Sequence, residues 1–121
     1  MAHFEQHCRD CERLLGERFE NVNHWIDELF RQYGANHRRH RHHWGGVREA
    51  HRLFGEAGAK AAIVHIVRDC GDVPRERDYD KTNLGIIIAP EYLMYDGVER
   101  APEKFAQAVN QAWEKYADYR G

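Results

Sequence analysis

The segment HRRHRHHWGGVREAH, residues 37–51, sets five of the chain's nine histidines and four arginines among apolar residues that a helix would have to bury. Projected at ~100° per residue, Trp44, Val47 and Phe54 share one face of a helix over 35–54. His37, His40 and His51 fall on that same face, His43 sits at its edge, and His42 points nearly the opposite way. An imidazole buried without hydrogen bonds is costly, so the fold must bring partners to this face or share a cation among its rings. The Gly45-Gly46 pair lies mid-helix, where it predicts a kink or the close approach of another backbone.

The other segments follow helical periods. Phe4, Cys8, Cys11 and Leu15 form one stripe, ended by Gly16. Val22, Ile26, Leu29 and Tyr33 form a second, with Asn21 or Asn23 as its N-cap and Gly34 at its end. The stretch GEAG, 55–58, reads as a turn. AKAAIVHIVRDCG then reads as a buried helix over 59–70 capped by Gly71, with a strand as the alternative because of its β-branched residues. A polar connection leads to LGIIIAP, a short strand or extended segment near 84–89. Pro102 opens a last helix with the stripe Phe105, Val109, Ala112, Tyr116. The expectation is a mainly α, single-domain bundle over residues 1–121, with four or five helices and one short extended segment.

Composition narrows the function. Eighteen Lys plus Arg against 20 Asp plus Glu give a net charge of -2, which argues against nucleic acid bound over most of the surface. No apolar run approaches the ~20 residues of a membrane span. MAHFEQHCRD has no secretory pattern, and three cysteines, an odd number, suit reduced thiols in a cytoplasm.

The sharpest candidate is a metal site. His40 and His43, at i and i+3, can face one ion, and His65 and Asp69, at i and i+4, share a side of their own segment. If the chain reverses near Glu56-Ala57, residue pairs whose numbers sum to about 113 lie level in an antiparallel helix pair. That sets Asp69 beside His43 or Trp44, and His65 near Val47 and Arg48. His40, His43, His65 and Asp69 then converge, with His37 orienting a ligand or replacing His40. Such a nitrogen and carboxylate set takes a divalent transition metal, zinc first, with iron, nickel and manganese as alternatives. An open coordination position would favour hydrolysis, and a closed one a structural ion.

Duller readings stand beside it. The histidines can be core and surface residues of a metal-free interaction or adaptor protein. Arg38, Arg39, Arg41, Arg48 and Arg52 can form a strip for nucleic acid or a nucleotide, although Glu12, Glu17, Asp27 and Glu28 can pair them as surface bridges. Cys8 and Cys11 read as core packing, since no second CxxC exists. His24 and Glu28 read as polar surface. The aromatic residues Tyr92, Tyr95, Trp113, Tyr116 and Tyr119 dock the last helix, with a homo-oligomer surface as the alternative.

The pattern His37-x4-His42-His43, Gly46, Phe54-Gly55, His65-x3-Asp69-x-Gly71-x2-Pro74 and Asp78-Tyr79 resembles a family of small bacterial and phage proteins known as a domain of unknown function. The resemblance covers roughly residues 23–79. It implies that His37, His43, His65 and Asp69 act together, and it brings no activity with it. His40 and His51 depart from the family pattern. Other metal-hydrolase signatures are missing: there is no adjacent His-Asp pair and no HExxH, and Gly-rich phosphate loops and nucleophile elbows are absent too.

Overall fold

The computed structural model describes residues 3–82, 86–93 and 101–119. Helix α1, Phe4–Leu15, buries His7, Cys8, Asp10 and Cys11 and ends on Gly16, whose φ of 87° closes the helix with a bond to the Glu12 carbonyl. Helix α2, Glu20–Asp27, buries Val22, Asn23 and Ile26. Its N-cap is Phe19 in the left-handed region (φ 50°), so neither Asn21 nor Asn23 takes the capping place expected of it. The second stripe does not run on to Tyr33 as one helix. Helix α2 stops at Asp27, a short α3 spans Phe30–Tyr33, and a 3-10 turn follows over Gly34–His37. Arg41 seals the end of α2 by donating to the Trp25 carbonyl at 2.5 Å and the Glu28 carboxylate at 2.7 Å.

The expected continuous helix over 35–54 is broken. Helix α4 covers Arg38–Arg41, His42 is non-helical (φ -86°, ψ 59°), and His43 is extended at the start of α5, Trp44–Cys70. Three contacts hold the break open. Tyr79 OH donates to the His42 carbonyl at 2.6 Å, and Trp44 N–H donates to the Pro74 carbonyl at 3.0 Å. Gly46 lets the Arg41 carbonyl come so close that a Cβ there would lie 1.8 Å from its oxygen. The glycine pair therefore serves close approach, one of its two expected uses.

Within α5 the backbone turns at Gly55 (φ 82°, ψ -175°). A straight helix of this length would extend ~40 Å. Yet His42, just before its start, lies 3.1 Å from Asp69 near its end. The halves 44–54 and 56–70 thus run antiparallel, as the GEAG turn predicts, with Asp69 opposite His42 instead of His43 or Trp44. The second half is helix, not strand, and residues 61–70 are all buried. Helices α1, α2 and α6, Pro102–Tyr119, pack around α5.

Helix α6 buries Phe105, Val109, Ala112 and Tyr116, and the Tyr119 ring stacks on Trp44 at 4.6 Å, docking the last helix on the core. Tyr95 and residues 84 and 85 lie outside the described residues; the rest of the expected extended segment, 86–89, forms no strand. The architecture is a mainly α bundle without a sheet among the described residues. No helix among them is long and apolar enough to cross a membrane.

Because Gly46 faces backbone, Gly46→Ala should cost at least ~2 kcal/mol, in the upper part of the range for overpacking. Gly16→Ala, with open space around it and only its φ of 87° to bear, should cost ~1 kcal/mol. Urea unfolding of both variants checks this, and equal losses would remove Gly46's special role.

Candidate metal centre

Asp27 closes the last turn of α2, His42 stands in the break before α5, and His65 and Asp69 sit one turn apart on α5. One donor atom from each lies within 4.8 Å of the other three, so this group could hold a metal ion. The side chains of His42 and His65 are 0% exposed and that of Asp69 is 3%, whereas Asp27 is 32% exposed and forms the open edge. His42 Nε2 is 3.1 Å from Asp69 Oδ2 and 3.5 Å from Asp27 Oδ1. His65 Nε2 is 3.3 Å from Asp27 Oδ2 and 3.4 Å from Asp69 Oδ2. These pairs use both oxygens of Asp27; with one donor atom from each residue the group lies within 4.8 Å, a spread that one ion with ~2.0–2.1 Å bonds can gather.

Proton positions sharpen the picture. The Asn23 amide donates through Nδ2 to the Arg18 carbonyl at 3.0 Å and faces the Cys8 and Cys11 sulfurs at 3.7 and 3.6 Å. Its Oδ1 is therefore the atom 2.9 Å from His65 Nδ1, which must carry the proton and donate. The Nε2 lone pair of neutral His65 then points at two carboxylates. His37 repeats the arrangement: Nδ1 donates to the Gly34 carbonyl at 2.8 Å, leaving Nε2 3.0 Å from Asp27 Oδ1. Acceptors thus face acceptors in a buried space, a repulsive arrangement unless a proton or a cation sits between them.

The electrostatics follow. Burial opposes charge on His65, but Asp27 and Asp69 together outweigh it and push its pKa up to about 9. Burial lowers His42 to about 4, with Asp69 partly resisting. Burial and the neighbouring His65 lower His7. Burial would raise both carboxyls, yet the surrounding imidazoles hold Asp27 and Asp69 below the usual carboxylate range. Asp27 also sits at the C-terminal end of α2, where the helix dipole disfavours an anion, so its place there calls for positive charge nearby.

Of the expected ligands, the fold brings His65 and Asp69 into the cluster and holds His37 against Asp27. His40 is exposed and stacks on Tyr33 at 4.1 Å. His43 is buried but caps α5, its Nδ1 accepting from Gly46 N–H at 3.3 Å. Both stand outside the group because the i, i+3 argument needs a helix that the chain does not form there. His42, set aside by the same projection, takes the central place. In the sequence Asp27 reads as a surface partner for arginine, and Asn23 as a cap. The i, i+4 spacing of Asn23 and Asp27, beside a buried stripe, was the available signal.

His51 bonds the Tyr116 hydroxyl at 2.9 Å, and His24 and Glu28 are exposed. The five arginines have separate partners. Arg38 is buried with Asp69, Arg39 pairs with Asp80, Arg41 with Glu28, Arg52 with Glu49, and Arg48 donates to the Tyr119 carbonyl. Cys8 and Cys11 are fully buried in reduced form, and burial pushes the Cys11 thiol up to about 12. Comparisons with protein-family models, curated proteins and solved structures find no match.

Two outcomes follow from this geometry. Without metal, the raised His65 pKa stabilises the fold fully below its ordinary value of 6.5, and that contribution is lost as pH rises through about 9. Neutral burial of His42 has the opposite sign: its contribution is full above 6.5 and lost as pH falls through about 4. Chelator-treated protein should therefore have its highest Tm near pH 6.5, and metal should flatten the alkaline limb by replacing the His65 proton. An alkaline limb already flat in chelator would contradict the proton assignment. Separately, Asn23→Leu should weaken metal binding ~10–100-fold by freeing the His65 tautomer. Unchanged affinity in a competition titration would show that Asn23 only packs.

Proposed function

We propose that the protein is a metal-binding protein whose divalent transition metal ion is held by Asp27, His42, His65 and Asp69. The convergence of four ligand atoms in a largely buried group, with the His65 Nε2 lone pair aimed at two carboxylates, carries this reading. The donor set of two imidazoles and two carboxylates favours zinc. His37 holds Asp27 in place, and Asn23 fixes the His65 ring.

With all four protein ligands in place a tetrahedral ion is closed and structural; the centre becomes hydrolytic only when water takes the place of one ligand. Asp27 is the exposed edge of the group, so water and a substrate would approach from its side, while the other three ligands exclude solvent. A zinc ion there would acidify bound water toward neutral pH, the chemistry that phosphoester or amide cleavage needs.

Elemental analysis of untagged protein prepared without chelator is the test. Stoichiometric metal is expected in the wild type and after His40→Ala, with loss in His65→Ala and Asp69→Ala. Equal metal content in all four would sink the ligand assignment. Cleavage of bis(p-nitrophenyl) phosphate by the metal-loaded wild type, abolished by chelator, is expected for a hydrolytic centre; a tightly held ion with no turnover on ester or amide substrates would make it structural.

A further inference from the structure

Four ligands leave one buried side chain of this region without a role. His7, on α1, is 0% exposed, and neither of its ring nitrogens has a hydrogen-bond partner. Its Nε2 lies 3.3 Å from Asp69 Oδ1, which also has no hydrogen-bond partner. The nearest guanidinium nitrogen, Arg38 Nη2, is 3.7 Å from that oxygen, while Arg38 Nη1 donates at 3.4 Å to the main-chain carbonyl of Asp69. Asp69 thus presents its two oxygens to different rings: Oδ2 to His42 and His65, and Oδ1 to His7.

The rings of His7 and His65 show why His7 is not a fifth ligand to the same ion. They stack face to face, 3.4 Å between centroids and 8° from parallel. An imidazole binds a metal in its own plane at ~2.0–2.1 Å. An ion in the His65 plane is therefore out of reach of the His7 lone pair, which points along a parallel plane one ring thickness away. Two ions placed on these parallel lone pairs would be separated by about the ~3.5–4 Å typical of two-metal sites.

We infer that the centre takes two divalent transition-metal cations, the second between His7 Nε2 and Asp69 Oδ1, with the Asp69 carboxylate bridging them. This rests on the metal-binding reading proposed above. The first position has four protein ligands, and the second has two. The second is thus the weaker and fills after the first, with Arg38 close enough to lower its affinity further.

Titration of chelator-stripped protein with cobalt(II), a spectroscopic stand-in for zinc, tests the inference. The wild type should show two breaks in the visible absorption, the second at higher free cobalt. The EPR signal grown by the first equivalent should diminish as the second arrives, because two high-spin ions sharing a carboxylate couple magnetically. His7→Phe keeps the stack on His65 and removes the donor nitrogens, so it should bind the first equivalent with near wild-type affinity and show no second break. A single break and an uncoupled signal in the wild type at saturating cobalt would overturn the inference while leaving the first site intact. Two coupled ions persisting in His7→Phe would also overturn it, by placing the second ion elsewhere. No cobalt and no zinc bound at all would instead overturn the metal-binding reading itself.

Discussion

The fold depends on the burial of one carboxylate. Asp69 has a side chain only 3% exposed, and stripping such an anion of water costs several kcal/mol unless positive charge and hydrogen bonds replace it. Here the replacements come from separate stretches of chain. Arg38 arrives on α4, His42 at the break before α5, and His65 from the preceding turn of α5 itself. A single anion thereby sets the relative positions of helices that a purely apolar core would fix only through packing. Its removal would leave several buried polar groups without their counter-charge, so Asp69 matters to the architecture in its own right.

Meeting that demand takes unusual backbone. The chain must reverse at Gly55 to bring His42 back to Asp69, and it must leave helical geometry at His42 to turn that ring inward. The stretch after α5 secures the second departure. Pro74 accepts from Trp44, and the buried Tyr79 hydroxyl binds the His42 carbonyl. What reads in sequence as a polar connection is in fact a clamp on the backbone beside the His/Asp cluster. The 3-10 turn Glu76–Lys81 that carries Tyr79 gains its purpose from this contact.

Around the inner group lies a second layer with directional roles. Asn23 reads the His65 tautomer on one side and the buried thiols of Cys8 and Cys11 on the other, tying α1, α2 and α5 together through one amide. Asp27 is held at the helix end least favourable to a carboxylate, with His37, His42 and His65 supplying the compensation. Among the four clustered residues, Asp27 is also the one whose side chain is partly exposed, at 32%.

The sequence by itself determined the helical class, the stripe on α6, the reversal near Gly55, and the pairing of His65 with Asp69. Each is a local consequence of periodicity or of glycine chemistry. On α1, by contrast, it placed Phe4 in the buried stripe, although Phe4 is exposed and His7 and Asp10 are buried there instead. It also raised the demand that polar rings near residues 37–51 find partners. Which rings meet that demand was decided by tertiary structure. The break at His42 is imposed by Tyr79 and Pro74, more than thirty residues away in sequence, and helical projection has no access to such a contact. It exchanges His42 for His40 and His43. Asp27 and His7 enter for a similar reason: α1 and α2 pack against the second half of α5, and only that packing shows which of their polar residues face inward. Periodicity can say that a face is buried; the identity of what lies across from it is a property of the assembled chain.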